Sequence, residues 1–214
     1  MEKISDYFSS RKGTEFASAL PELKKQIGSV LFHPLGSTYG VEGNTFRAYT
    51  NFPIPPSGVY RDWAERTCSD LDFQLLPRQL GSAAGFCSWH NGLADSLQDH
   101  WKRSGQGRLL SFAHQHKLID LFIKWLSRHD FGAPALSQCF ISSANCALDS
   151  QTLSMLNDCL SGALPLSKPS MGNIHSVQTY RFCQSLITEF AEHFGGSRLL
   201  FDYFSYRRGN GKKR

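Results

Sequence analysis

The stretch QHKLIDLFIKWLSRH, residues 115–129, decides the fold more than any other part of the chain. Its apolar residues cover most of a helical circumference, at positions 118, 119, 121, 122, 123, 125 and 126. The polar residues that remain form a narrow stripe of Lys117, Asp120, Lys124, Ser127 and Arg128. This pattern is typical of a helix that is buried on most sides. The sequence therefore predicts a central helix over about 115–129.

Helical signals also dominate the chain on both sides of this stretch. They predict helices over 14–31, 59–69, 83–103, 150–161, 175–194 and 197–206, the first of them kinked or divided at Pro21. The alternation that marks strands is nearly absent, so we expect a mainly α fold. The length of 214 residues suits a single helical domain over 1–206, with or without two lobes flanking a cleft, followed by a flexible tail over 207–214.

Residues 33–58 interrupt the helical pattern. Glycines and prolines punctuate this run, and aromatic residues stand between them. The pattern predicts a long ordered loop, with or without a hairpin. Loops of this length inside a compact domain are unusual and often functional.

The net charge of +5 comes from the end of the chain. Residues 1–206 hold 18 basic and 18 acidic side chains, because 5 of the 23 Lys and Arg residues, and none of the 18 acids, lie in the tail. A basic tail of this kind suits loose contact with phosphates, and it equally suits a role in solubility. The five tail cations are Arg207, Arg208, Lys212, Lys213 and Arg214.

The sequence carries no membrane, export or metal-binding signal. No apolar run reaches the roughly 18 residues that a bilayer span needs. The N-terminus lacks an apolar signal core, so we expect a soluble protein of the reducing cytoplasm whose six cysteines are thiols. The spacing of Cys and His matches no zinc motif, and we expect neither a metal nor a cofactor.

Three features of the C-terminal half could carry chemistry. Lys117 opens the apolar helix, where the helix dipole and burial both favour a neutral, nucleophilic amine. Asp149 stands at a helix start, where backbone amides would hold its carboxylate. Asp202 and Tyr206 lie one turn apart and could together grip a flat heterocycle. Each feature also has a structural interpretation: Lys117 paired with Asp120, Asp149 as a simple cap, and a surface acid beside a core tyrosine.

Taken in order, the segments KLIDLFIKWL (117–126), ALDS (147–150) and LFDYFSY (200–206) resemble the archaeal 8-oxoguanine DNA glycosylase branch of the helix-hairpin-helix glycosylase/lyase superfamily. The resemblance covers roughly residues 100–206 and rests on the order of short motifs. It implies a helix-hairpin-helix fold and a DNA glycosylase with AP-lyase activity.

The resemblance also implies residue roles. Lys117 would attack C1′ of a flipped nucleotide and form a Schiff base, and Asp149 would assist it. Asp202 would accept from the base edge while Tyr206 stacks on the base. We then expect amine and carboxylate within a hydrogen bond or one bridging water of each other. The partner would be double-stranded DNA bound by a monomer, through the tail and through Arg108, His114 and His116.

The sequence departs from the family at three places. The hairpin before Lys117 lacks a glycine-rich turn, Tyr206 stands where the family has a tryptophan, and the loop 33–58 has no counterpart. These departures leave two substrates open, namely 8-oxoguanine and a bulky hypermodified pyrimidine of the kind that phages carry. The second would imply defence against phages. It would also require part of the loop at the cleft, with Tyr39, Phe46 and Tyr49 as candidate contacts.

Two other functions remain open from the sequence. A helical ribonuclease would use Arg108 and His114. A DNA-binding module that retains the scaffold and lacks the chemistry would have Lys117 and Asp149 far apart.

Overall fold

The chain is mainly helical, as predicted. The computed structural model describes residues 3–33, 37–42, 44–164 and 168–206. The described residues form α1 (Ser10–Lys24), α2 (Pro56–Asp70), α3 (Leu76–Leu80), α4 (Ala83–Arg103), α5 (Phe112–Ser127), α6 (Pro134–Ser143), α7 (Ser150–Cys159), α8 (Val177–His193) and α9 (Arg198–Tyr206). Two short strands, β1 (Val30–Leu31) and β2 (His129–Asp130), pair in parallel.

Helix α5 is the central helix that its sequence predicts. Leu118, Ile119, Phe122 and Leu126 are fully buried. The helix begins at Phe112, because the Ser111 side chain accepts a hydrogen bond from the His114 amide. Burial of this apolar surface is the main term that holds α5 in place.

Helix α9 is the second helix through the core. It packs against α1, α6, α7 and α8, and its residues 199–205 are all buried. A polar seam joins it to α5, since the Tyr203 hydroxyl lies 3.1 Å from the Ser127 hydroxyl and 3.1 Å from the Lys124 carbonyl. Asp202 and Tyr206 of α9 therefore come to the same end of the molecule as the lysines of α5.

The N-terminal part of the chain is attached to the end of α5. Helix α1 starts at Ser10, because Ser9 caps it, and it ends at Lys24. The chain then turns through Gly28 at positive φ and enters β1, which pairs with β2 directly after α5. The predicted helix over 14–31 therefore starts too late and extends too far. This pairing places the loop that follows β1 beside α5.

The described part of the loop 33–58 contains no hairpin. Its regular structure is a single 3₁₀ turn over Thr45–Ala48, and α2 begins at Pro56. Two helices that were not predicted, α3 and α6, carry proline in their first turn. Proline is tolerated there because the amides of a first turn have no helical partner. Among the described residues, no helix has the length and apolar character needed to cross a bilayer.

Candidate active site

Lys117 and Asp149 meet at the surface of the helical core. The distance from Lys117 Nζ to Asp149 Oδ2 is 3.8 Å, and the two side chains are 11% and 15% exposed. Lys117 lies in the second turn of α5, and Asp149 is the N-cap of α7. The geometric expectation for this pair is therefore confirmed. Its chemical role remains a prediction.

Both oxygens of the Asp149 carboxylate are held by hydrogen bonds. Oδ1 accepts from the amides of Gln151 and Thr152, each at 2.9 Å, as an N-cap does. Oδ2 accepts from the Tyr206 hydroxyl at 2.7 Å. Burial, followed by the charge of Asp149, raises the pKa of the Tyr206 phenol well above its usual range. The phenol therefore stays protonated and donates to Asp149.

A second lysine–carboxylate pair lies two turns further along α5. Lys124 Nζ is 2.6 Å from Asp202 Oδ1, and Nζ also lies 4.1 Å from the centre of the Tyr206 ring. Lys124 was predicted only as part of the polar stripe. Its spacing of seven residues from Lys117 places both lysines on one face of the helix, and this was the available signal.

The structure corrects the expected role of Asp202. Its side chain is completely buried, and its second oxygen accepts from the Ala147 amide at 2.8 Å. Burial raises the pKa of the Asp202 carboxyl, and the adjacent Lys124 opposes this rise. With both oxygens occupied and no exposed surface, Asp202 cannot reach a base edge. The group that faces the cleft is Lys124, which Asp202 holds in position.

Lys117 and Asp149 stand where two clefts adjoin. The larger cleft, of about 680 Å³, is lined by Lys117, Lys124, Asp149, Leu121 and Tyr206, together with residues of the loop before α2. The smaller cleft, of about 490 Å³, lies beside the start of α5 and includes Arg47, His114 and Gly172. Lys117 and Asp149 therefore border both clefts.

The loop before α2 borders the larger cleft through polar residues. Thr38, Glu42, Asn44 and Thr45 line it. At Gly40 the loop backbone touches α5, with φ of +83°, and a Cβ there would lie 2.3 Å from the Leu121 carbonyl oxygen. A side chain at position 40 would therefore displace the loop.

The three aromatic side chains expected at the cleft are packed into the protein. Tyr39 is buried against Trp125, with ring centres 5.0 Å apart. Tyr49 is buried and donates its hydroxyl hydrogen to the His114 carbonyl at 3.0 Å. Phe46 is half-buried, with its ring centre 5.1 Å from that of Tyr49. The expectation that these three rings line the cleft is therefore corrected. The rings pack the loop against the protein, and polar residues of the loop line the cleft.

The residues expected to contact DNA differ in their placement. Arg108 is exposed, but it donates to the Thr50 carbonyl and lies over the Phe52 ring. His114 lines the smaller cleft, with Nδ1 2.8 Å from the Ser111 hydroxyl. Burial lowers the pKa of its imidazole, and nearby Lys117 lowers it further. Both members of the pair considered for a ribonuclease are thus engaged in local contacts.

His116 does not face the clefts beside Lys117. It is buried, its Nδ1 lies 3.2 Å from the Phe112 carbonyl oxygen, and it lines a separate cavity on another side of α5. It therefore does not share a cleft with Lys117, and its contact with DNA stays a prediction. The tail cations Arg207, Arg208, Lys212, Lys213 and Arg214 lie outside the described residues.

Asp120 is not the partner of Lys117. It is fully buried and hydrogen-bonded to His90 and Tyr180, so the interpretation of Lys117 as half of a solvated pair with Asp120 is wrong.

Within the described ranges, no group of three or more His, Cys, Asp or Glu side chains is arranged to hold a metal ion. Comparison with protein families, with curated proteins and with solved structures finds no match to this chain.

Proposed function

We propose that the protein is a DNA glycosylase that removes a modified base through Lys117 and Asp149. The observation that carries this proposal is the 3.8 Å approach of Lys117 Nζ to Asp149 Oδ2 at the junction of two clefts. A shielded amine beside a fixed carboxylate is the arrangement that nucleophilic attack on a sugar carbon requires.

The proposed reaction begins with a flipped nucleotide in the larger cleft. Extruding a base from duplex DNA costs a few kcal/mol of unstacking. As the bond from C1′ to the base lengthens, the Asp149 carboxylate stabilises the positive charge on the sugar, and it takes a proton from the Lys117 ammonium as Nζ bonds to C1′. The bond from C1′ to the base breaks, and the base leaves with the electron pair and then gains a proton. Opening of the sugar gives a Schiff base with Lys117, and β-elimination then cleaves the strand on the 3′ side.

Asp149 can serve this reaction because it does not need to reorganise. Its oxygens are already bound by Gln151, Thr152 and Tyr206. A carboxylate held in this way can stabilise the positive charge that develops on the sugar, as preorganised groups do in enzyme sites. A DNA-binding module without catalytic activity has no need for Lys117 and Asp149 to lie together. Their convergence therefore favours an enzyme.

Two substrates fit the proposal, and the cleft favours one of them. In both cases Tyr206 and Lys124 would border the flipped base. A bulky hypermodified pyrimidine would require part of the loop 33–58 at the cleft, and Thr38, Glu42, Asn44 and Thr45 do line it. Polar side chains suit a substituent that carries hydrogen-bonding groups. We therefore favour the bulky base, with a role in defence against phage DNA, over 8-oxoguanine.

The test is to identify the released base. The protein is incubated with modified phage DNA, with unmodified DNA and with a synthetic duplex containing 8-oxoguanine, and the products are analysed by mass spectrometry. We expect a modified pyrimidine from the first and no base from the second. Release of 8-oxoguanine alone would reverse the choice of substrate, and release of no base from any of them would remove the glycosylase proposal.

Trapping with borohydride tests the role of Lys117. We expect reduction to yield a covalent protein–DNA adduct with the parent protein and none with Lys117→Ala. Lys102→Ala is the matched control, because Lys102 is an exposed lysine at the end of α4. An adduct that survives Lys117→Ala would assign the chemistry to another amine.

Asp149→Asn separates binding from catalysis. The amide keeps the size and the capping oxygen of the carboxylate but loses the charge. We expect DNA affinity within about twofold of the parent protein, since no phosphate contact is removed, and base release lowered by about 10²–10⁴, the usual contribution of a general base. Equal loss of affinity and release would point to a damaged fold.

A further inference from the structure

A third cavity lies on another side of α5 and has no part in the proposed reaction. It has a volume of about 440 Å³ and is enclosed by α4, α5 and α8, with the end of α6 and the start of α9. This volume falls within the range of roughly 300–1,000 Å³ that is usual for small-molecule sites.

A buried hydrogen-bonded triad lies beside the cavity, and two of its members, His90 and Tyr180, line it. His90 Nε2 lies 2.8 Å from Asp120 Oδ1, and the Tyr180 hydroxyl donates to Asp120 Oδ2 at 2.8 Å. The His90 side chain is 5% exposed and Asp120 is fully buried. Because the carboxylate accepts from both neighbours, Nε2 of His90 carries a hydrogen.

The other ring nitrogen of His90, Nδ1, is available to bind a ligand. Among the described residues, Nδ1 has no hydrogen-bond partner in the protein, although His90 is one of the side chains that line the cavity. Nδ1 keeps some accessible surface, since it is not one of the fully buried polar atoms without a partner. A ligand in the cavity would supply the missing partner.

The walls and the rim indicate the chemistry of that ligand. Phe86, His116 and Tyr180 supply flat aromatic surfaces on the walls. At the rim, exposed Arg181 and half-buried Arg198 outnumber the single acid, Glu189. Flat walls favour a planar ring, and two guanidinium groups favour an anion such as phosphate.

We propose that this cavity binds a mononucleotide unit. The base lies against the aromatic wall and hydrogen-bonds to His90 Nδ1, and the phosphate is held by Arg181 and Arg198. The same chemistry is offered by a free nucleotide and by one nucleotide of a DNA strand. The proposal does not depend on the glycosylase function, because it concerns a separate cavity.

Binding to the full chain is measured by calorimetry and by NMR of the histidine ring nitrogens. The probes are dAMP, deoxyadenosine and inorganic phosphate. We expect saturable binding of dAMP with a shift of the His90 ring signals, and binding of deoxyadenosine or phosphate weaker by about tenfold or more, since each lacks one set of contacts.

Variants at the rim locate the phosphate. Arg181→Gln should weaken dAMP binding by about tenfold, the effect of losing one charged hydrogen bond. Arg61→Gln, at an exposed arginine of α2, is the matched control and should change nothing. Both substituted arginines are exposed, so neither change should affect folding. Lys117→Ala should also bind dAMP normally, which separates this cavity from the proposed active site.

Three results would overturn the proposal. They are the absence of saturable dAMP binding, equal binding by the parent protein and Arg181→Gln, and inorganic phosphate bound as tightly as dAMP. Competition by a short single-stranded oligonucleotide would make a DNA strand the source of the nucleotide. Its absence, with dAMP still bound, would make the free nucleotide the ligand.

Discussion

Replacing Lys124 by methionine should destabilise the protein strongly at neutral pH. Lys124 is 13% exposed and is the partner, at 2.6 Å, of the fully buried Asp202 carboxylate. Methionine retains the packing of the aliphatic stem and removes the charge. Leaving one member of a buried ion pair without its partner costs about 3–5 kcal/mol. That is a large share of the roughly 5–15 kcal/mol by which domains are stable.

The loss should depend on pH in a defined direction. Burial raises the pKa of Asp202 in the folded protein, above the value of about 3.9 for an unfolded chain. The folded state therefore holds the proton to higher pH, and ionisation of Asp202 costs stability as the pH rises from about 4. Removing Lys124 raises the pKa of Asp202 in the folded protein further. The loss of unfolding free energy caused by the substitution should therefore be large at pH 7 and small at pH 4 and below.

Urea unfolding at pH 7 and at pH 4 measures both effects. The double variant Lys124→Met/Asp202→Asn should recover most of the loss at pH 7, because no buried charge remains. Lys24→Met, at an exposed lysine in the last turn of α1, should stay within about 0.5 kcal/mol of the parent protein. An equal loss at both pH values would refute this reasoning, because the loss would then not depend on the ionisation of Asp202.

Three further predictions concern the cleft and the tail. Tyr206→Phe removes the hydroxyl that donates to Asp149 Oδ2 at 2.7 Å; because this bond holds the carboxylate beside Lys117, base release should fall by about tenfold, the effect of losing one charged hydrogen bond, with DNA affinity unchanged. Gly40→Ala should cost at least about 1–3 kcal/mol in urea unfolding, because φ is +83° and the Leu121 carbonyl blocks a Cβ. Gly58→Ala, which meets nothing within 4 Å, is its control. Deleting 207–214 should weaken DNA binding at low salt and flatten its salt dependence; unchanged low-salt binding would leave the tail with a role in solubility alone.

The helices that the sequence predicts well are those with strong local signals. The bounds of α4 agree with the prediction over 83–103, and α7 begins after Asp149 because that residue caps it. Both signals, apolar periodicity and capping, lie within a few residues of each other in the chain. Helix α6 was not predicted because Pro134 suggests a loop, whereas at the first helical position it is compatible with a helix.

The candidate site could be predicted in part for the same reason. Lys117 and Asp149 stand at helix starts that the sequence marks, and their convergence was expected. The position of Asp202 depends on Lys124, which is 78 residues away in the chain, and on the Ala147 amide, 55 residues away. No local pattern reports such contacts. The sequence therefore shows that Asp202 and Tyr206 lie one turn apart on α9. It does not show whether Asp202 faces the cleft or the core.

The two lysines of the cleft each stand beside a carboxylate, Lys117 beside Asp149 and Lys124 beside Asp202. At long range these pairs largely cancel, so the cleft carries little field of its own to attract a polyanion. Residues 1–206 also sum to zero, since 18 basic and 18 acidic side chains precede the tail. The encounter with DNA would then be guided by charge outside the cleft, above all by the five cations of the tail. Ionic strength should accordingly change the rate of association much more than the rate of the chemical step once the nucleotide is bound.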